Sequence, residues 1–210
     1  MAVSSRIGQY GLYYGSTWGS TGSNSLAHQK VNATYIWNAL QNEGWTLNAV
    51  AGMLGNMQAE SAIQPGRWQN DKVGINSAGY GLVQWTPSTK YTLWIGIAND
   101  PSTMDNNLKR IKWEVANNKQ WRKTSNYNYS FKQFSQSIDT PENLAAAFLY
   151  NYERPANAKS KESYRRSRGR FWYDYLYGLN PPTPPTPTGT TKKERFPFVL
   201  YAKKLRDNRN

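Results

Sequence analysis

Apolar residues recur at helical spacing in several stretches of the chain, separated by segments where glycine and proline break the period. Ala33, Ile36, Trp37 and Leu40 predict a first helix from Lys30, with Gly44 behind it as a C-terminal stop. Thr46 stands where a cap belongs for a second helix, whose apolar face runs through Leu47, Val50, Leu54 and Met57. Gly52 and Gly55 interrupt that helix, and each costs about 1 kcal/mol of helix propensity relative to alanine. Their pairing implies that another element packs closely against the backbone there. Residues 64–87 contain Pro65, Gly66, Gly74, Gly79, Gly81 and Pro87 and read as loops with short strands. Thr86-Pro87 opens a short helix toward Ile97, and Met104, Leu108, Ile111 and Val115 mark another. Thr140-Pro141-Glu142 supplies a cap, a first-turn proline and an acidic residue ahead of Leu144, Ala145, Phe148, Leu149 and Tyr152. A last helix is expected over Arg168–Leu176.

The ends of the chain lack these patterns. Residues 1–29 are rich in Gly, Ser and Tyr and read as an irregular arm or a strap for a partner. A Pro/Thr-rich linker, expected to be extended, occupies 179–191 and closes the globular domain of residues 30–178. Beyond it, residues 192–210 set the apolar run Phe196-Pro197-Phe198-Val199-Leu200-Tyr201 among lysines and arginines, a composition suited to docking on a partner or anchoring the chain. No stretch is long and apolar enough for a transmembrane segment, and the start lacks the apolar run of a secretory signal.

Composition narrows the chemistry. The chain has no cysteine and one histidine, His28. A thiol nucleophile, a disulfide framework and a typical hydrolytic zinc centre are therefore not expected, and neither a metal nor a cofactor is called for. His28 lies in a Ser/Gly-rich stretch that offers it no evident partner for a Ser-His-Asp relay. Carboxylates remain, the groups that dominate glycoside cleavage. The charge of +13, from 26 Lys plus Arg against 13 Asp plus Glu, attracts polyanions: nucleic acid, anionic lipid or the anionic polymers of a cell wall. Arg165, Arg166, Arg168 and Arg170 with Phe171 and Trp172 prompt the nucleic-acid reading, but no recognition signature accompanies them, so specific nucleic-acid binding is not expected.

One carboxylate stands out. Glu60 continues the apolar face of the second helix beyond Met53 and Met57, just before Pro65-Gly66. A carboxyl group partly buried beside methionines is pushed toward its neutral form, the condition a general acid needs. Within the following 25 or so residues stand Trp68, Gln69, Asn70, Asp71, Tyr80, Gln84 and Trp85 on glycine-rich backbone, a mixture of ring faces and amides suited to N-acetyl sugars.

The run Gly52-Met53-Leu54-Gly55-Asn56-Met57-Gln58-Ala59-Glu60-Ser61, followed by Ile63-Gln64-Pro65-Gly66, Trp68-Gln69-Asn70 and Gly79-Tyr80-Gly81-Leu82-Val83-Gln84-Trp85-Thr86-Pro87, resembles the phage-tail lysozyme domain family. Arg110-Ile111 with Trp113-Glu114-Val115, and Ala147-Phe148-Leu149 leading to Tyr152-Glu153-Arg154-Pro155-Ala156-Asn157, resemble its later blocks. Family members are cell-wall glycosidases on the tail tips of phages that infect Gram-positive bacteria. The resemblance spans about residues 30–176. It implies an α+β, mainly α, lysozyme-like fold with a small β region between two helical lobes, a peptidoglycan substrate and Glu60 as catalytic acid. More distantly, Glu60-Ser61 with Gly81-Leu82-Val83-Gln84 is similar to a pairing in goose-type lysozymes and lytic transglycosylases, where the glutamine lies in the substrate groove. By that likeness Gln84 and Tyr80 would hold an N-acetyl group or sugar hydroxyls. Trp68, Trp85, Tyr152 and Glu153 are expected as further substrate contacts. Some tail-tip relatives carry a linked metallopeptidase domain; with one histidine and a short stretch after the linker, such a domain is not expected here.

The expected reaction is protonation of a β-1,4 glycosidic oxygen by Glu60. Asp71 is the first candidate for a second catalytic group, against the alternative of a turn residue in Asn70-Asp71-Lys72. Glu114 and Glu153 follow, Glu114 with the alternative of a structural ion pair. With no second carboxylate nearby, attack by the sugar's own 6-hydroxyl or N-acetyl group would make the protein a lytic transglycosylase. The expected setting is the virion, with residues 1–29 and 192–210 on other tail proteins, or else the host cytoplasm before lysis.

Overall fold

A computed structural model describes residues 24–70 and 72–179. The arm up to residue 23, Asp71, and the linker and basic segment from residue 180 onward lie outside the described residues. The described chain is mainly helical: α1 (Leu26–Gln41), α2 (Leu47–Ser61), α3 (Thr89–Ile95), α4 (Met104–Ala116), α5 (Phe131–Ser135), α6 (Pro141–Phe148) running into a π-helical turn (Leu149–Glu153), and α7 (Ala158–Leu179).

The caps follow the sequence closely. Thr46 accepts from the Ala49 amide at 3.1 Å to start α2, and Thr140 accepts from the Asn143 amide at 3.2 Å to start α6, with Pro141 in its first turn. Other boundaries differ. α1 begins ahead of Lys30 because the Ser25 hydroxyl caps it, accepting from the His28 amide. α7 begins ten residues before Arg168, through the polar run 158–167 whose burial is confined to Arg165 and whose pattern gives no apolar stripe. α5 was not expected; a capping box between Ser130 and Gln133 defines it. The short strands expected over residues 64–87 reduce, among the described residues, to the isolated antiparallel bridges Trp68–Tyr80 and Tyr80–Trp85. With so many glycines and prolines, this backbone pairs through turns and side chains instead. Ser61 Oγ donates to the Leu82 carbonyl at 2.8 Å, and Asn107 Oδ1 accepts from the Leu82 amide at 3.0 Å.

α2 is the central element. Ala49 through Met57 are all buried, so the helix is enclosed on every side rather than along one stripe. Its glycines allow this. A Cβ on Gly52 would meet Leu144 and the Ala145 nitrogen of α6 at 2.8 Å, and one on Gly55 would meet the Gly169 nitrogen of α7 at 2.6 Å. The close helix contacts read from Gly52 and Gly55 are therefore present. Asn56 ties the crossing together by donating to the Gly52 carbonyl at 3.1 Å and the Ala145 carbonyl at 2.9 Å.

Candidate active site

α2 ends beside an open cleft. Ala62 and Ile63 turn left-handed at φ of 52° and 55°, so the helix stops sharply and Glu60 lies in its last turn at the cleft wall. The cleft has a volume of about 310 Å³ and is bounded by Glu60, Trp68, Asn70, Gln84 and Glu153, with Arg67, Gln69 and Lys161 beside them. That size holds a small ligand or a short stretch of glycan, and the lining is rich in amides and charges.

The Glu60 side chain is 22% exposed, and its carboxyl group forms an ion pair with Arg165 of α7. Its setting thus differs from the expected one. The methionines preceding it on α2 are fully buried, and a guanidinium stands on Glu60 Oε1 in their place. Arg165 is itself nearly covered, and its Nη1 donates to the Asn56 carbonyl at 2.9 Å. The close approach of α7 at Gly55 and Gly169 brings this arginine to Glu60. Composition alone had grouped Arg165 with a basic face. In the structure Arg166 pairs with Glu162 at 2.8 Å, Arg168 donates to Gln58 at 2.6 Å and Arg170 pairs with Asp174 at 3.0 Å, so the cluster is engaged within the domain.

Gln84 is held at the wall in a left-handed conformation, φ 50°, that glutamine seldom adopts. Its Nε2 donates to the Arg67 carbonyl at 3.0 Å and the Gly81 carbonyl at 2.9 Å, which fixes the carboxamide against the cleft. Trp68 borders the cleft but is only 2% exposed, its ring lying 4.7 Å from that of Tyr80. It offers a rim, not an open stacking face.

The other expected contacts lie behind the wall. Tyr80 is fully buried between Trp68 and Tyr91. Trp85 stacks on Tyr91 at 4.5 Å, and its Nε1 donates to Glu114 at 3.0 Å. Tyr152 stacks on Phe148 at 4.4 Å, and its hydroxyl donates to the other Glu114 oxygen at 2.5 Å. Tyr80 and Trp85 are covered because the glycine-rich loop folds inward onto α4, and Tyr152 because it packs on Phe148 and Phe131, each burying large apolar area. Glu114 is the polar centre of that region, receiving Arg110 Nε at 2.8 Å as well. Burial pushes its carboxyl up from the usual range, against the opposing hydrogen bonds of Tyr152, Arg110 and Trp85. This is the structural ion pair weighed for Glu114. Asp71 lies outside the described residues.

Glu153 does reach the cleft, at the end of the π-helical turn. Burial, and next the negative charge of Glu60, push its carboxyl well above the usual carboxylate range, with Arg165 and Arg154 acting in the opposite sense. Cleft residues that sequence reasoning left aside are Arg67, Lys161 and, as the partner of Glu60, Arg165. The signal for Arg165 was its position one helical turn before Gly169, the small residue that admits α2.

The comparisons with known proteins decide the family. The sequence profile described as phage tail lysozyme matches residues 31–176. The chain belongs to the phage tail lysozyme family. It is also 49% identical over 157 residues to morphogenesis protein 1 of Bacillus phage B103, an alignment that covers 73% of this chain and 41% of that protein. The chain thus spans about two fifths of the length of this relative. The family match runs from within α1 through most of α7, and takes in every described residue that borders the cleft.

Proposed function

We propose that this member of the phage tail lysozyme family is an N-acetylmuramidase that cleaves the β-1,4 bond between N-acetylmuramic acid and N-acetylglucosamine in peptidoglycan. The observation that carries this reading is Glu60: within a family of lysozymes, the last turn of the central helix presents a carboxyl group at an amide-lined cleft that Gln84 also borders. Glu60 serves as the acid that protonates the leaving glycosidic oxygen. Gln84, whose nitrogen is held by two carbonyls, offers its amide oxygen to an N–H or hydroxyl of the sugars, Asn70 offers its carboxamide, and Trp68 contributes an apolar rim. Arg165 positions Glu60 and faces the negative charge that appears there once the proton has left. Asp71 remains the candidate for activating water.

The family and the phage morphogenesis relative support the biological role proposed next. The protein acts as part of the virion, on the phage tail, opening the wall of a Gram-positive host during genome delivery. Residues 1–29 and 192–210 are assigned to contacts with other tail proteins, and the excess of positive charge favours adsorption to anionic wall polymers. Digestion of purified Gram-positive peptidoglycan tests the reaction. Reducing N-acetylmuramic acid ends are expected; 1,6-anhydro ends would make the protein a lytic transglycosylase, and reducing N-acetylglucosamine ends would place the cut at the other linkage.

A further inference from the structure

Glu153 shares the cleft with Glu60, and three features bear on its carboxyl group. Its Oε1 is covered by protein and has no hydrogen-bond partner among the described residues. Its backbone lies at the end of the π-helical turn, where the Arg154 amide reaches back five residues to the Leu149 carbonyl at 2.8 Å. Arg154 then turns left-handed at φ 52°, and its guanidinium is spent on the Asn151 and Gln120 carbonyls, at 2.7 and 2.5 Å. A π-turn and a left-handed arginine are costly local choices, and such distortions concentrate where a side chain must be aimed. Here they separate two neighbours, sending Tyr152 into the core onto Glu114 and Glu153 to the cleft.

A covered carboxyl oxygen without a donor is a poor place for a full negative charge. The groups that act on Glu153 are Glu60 of α2, Arg165 of α7, Arg154 beside it and Glu114 of α4, and Lys161 of α7 borders the same cleft. The guanidinium of Arg165 is bonded to Glu60 and not to Glu153. The covered, donorless oxygen favours a proton on Glu153 while Glu60 still holds its own, and the negative charge left on Glu60 after transfer strengthens that preference.

We infer that Glu153 is a positioning residue that works as a neutral carboxylic acid, turning its O–H toward Glu60 and stabilising the carboxylate left there after proton transfer. This rests on the reading of the cleft as a glycosidase site. The proton balance is simple: the Glu60 proton passes to the leaving glycosidic oxygen, and the Glu153 proton stays where it is. Arg165 and Glu153 thus receive the new charge from two sides, as preorganised donors do in other charge-developing reactions.

The test compares wild type, Glu153→Gln and Glu153→Ala in glycan release from purified peptidoglycan at neutral pH, with infrared spectra of the same folded proteins. The amide of glutamine keeps a donor and carries no charge, so Glu153→Gln should retain activity within about tenfold, while Glu153→Ala should fall about a hundredfold. The wild type should also show a protonated-carboxyl stretching band that Glu153→Gln lacks. Absence of that band, a glutamine variant as weak as the alanine variant, or an alanine variant equal to wild type would each overturn the inference. An inactive wild type that still shows the band would count against the glycosidase reading and leave the neutral carboxyl standing.

Discussion

Gly55 of α2 and Gly169 of α7 lie so close that a Cβ on Gly55 would stand 2.6 Å from the Gly169 nitrogen and 2.9 Å from the Arg165 carbonyl. The contact joins fold to site, because Arg165 reaches Glu60 from that stretch of α7. Any side chain at position 55 pushes against backbone, which has no rotamer to give.

Gly55→Ala is therefore expected to destabilise the domain despite the better helix propensity of alanine. Overpacking of a tight crossing costs about 1–3 kcal/mol, against a gain of about 1 kcal/mol from propensity. Urea unfolding should show a lower midpoint with an unchanged slope, and glycan cleavage should fall as α7 is displaced. A midpoint equal to wild type would mean that the two helices are not held at this separation.

Arg165→Met removes the ion pair to Glu60 and the donor to the Asn56 carbonyl. Because the arginine is buried while Glu60 is partly exposed, the loss should lie at the lower end of that for broken buried pairs, about 3 kcal/mol. A double-mutant cycle with Glu60→Gln should yield a coupling of about 1 kcal/mol or more. Additive effects would show that the two side chains do not interact in solution.

The Glu162–Arg166 pair predicts acid sensitivity. Hydrogen bonds from Arg166 and then Tyr150 hold the Glu162 carboxyl down at about 2, against 4.5 for the free group. A depressed carboxylate contributes stability that is present above 4.5 and lost as pH falls toward about 2. Glu162→Gln should therefore cost stability at neutral pH, and the difference from wild type should close across that acidic window. An equal difference at both ends would remove the linkage.

Glu153 predicts the opposite slope. Its carboxyl is raised above the unfolded value of 4.5, so its contribution is complete below that value and is lost as pH climbs through the folded one. Stability measured as a function of pH should move in favour of Glu153→Gln relative to wild type as pH rises. A pH-independent difference would show that Glu153 titrates alike in the folded and unfolded chain.

How much of this was legible in the sequence depended on the kind of signal. Thr46, Thr140-Pro141 and the paired glycines of α2 act through local chemistry, and the structure bears them out in place. The start of α7 was hidden because residues 158–167 bury Arg165 rather than an apolar stripe. Glu60 could be placed at the end of α2 by spacing, but its partner is 105 residues away and is set by a helix crossing. The rings illustrate the converse. Tyr80, Trp85 and Tyr152 sit in stretches that border the cleft, yet an irregular loop has no period to tell its inner from its outer face, and all three turn inward. The π-turn that aims Glu153 leaves no mark in composition or spacing.

The most direct measurement is mass spectrometry of the glycan fragments released from purified Gram-positive peptidoglycan by wild type and by Glu60→Gln. Wild type should release fragments with reducing N-acetylmuramic acid ends, and the folded variant at least a hundredfold less, since the amide keeps the shape but has no acidic proton to give. Fragments released by Glu60→Gln at the wild-type rate would contradict the assignment of Glu60 as the acid.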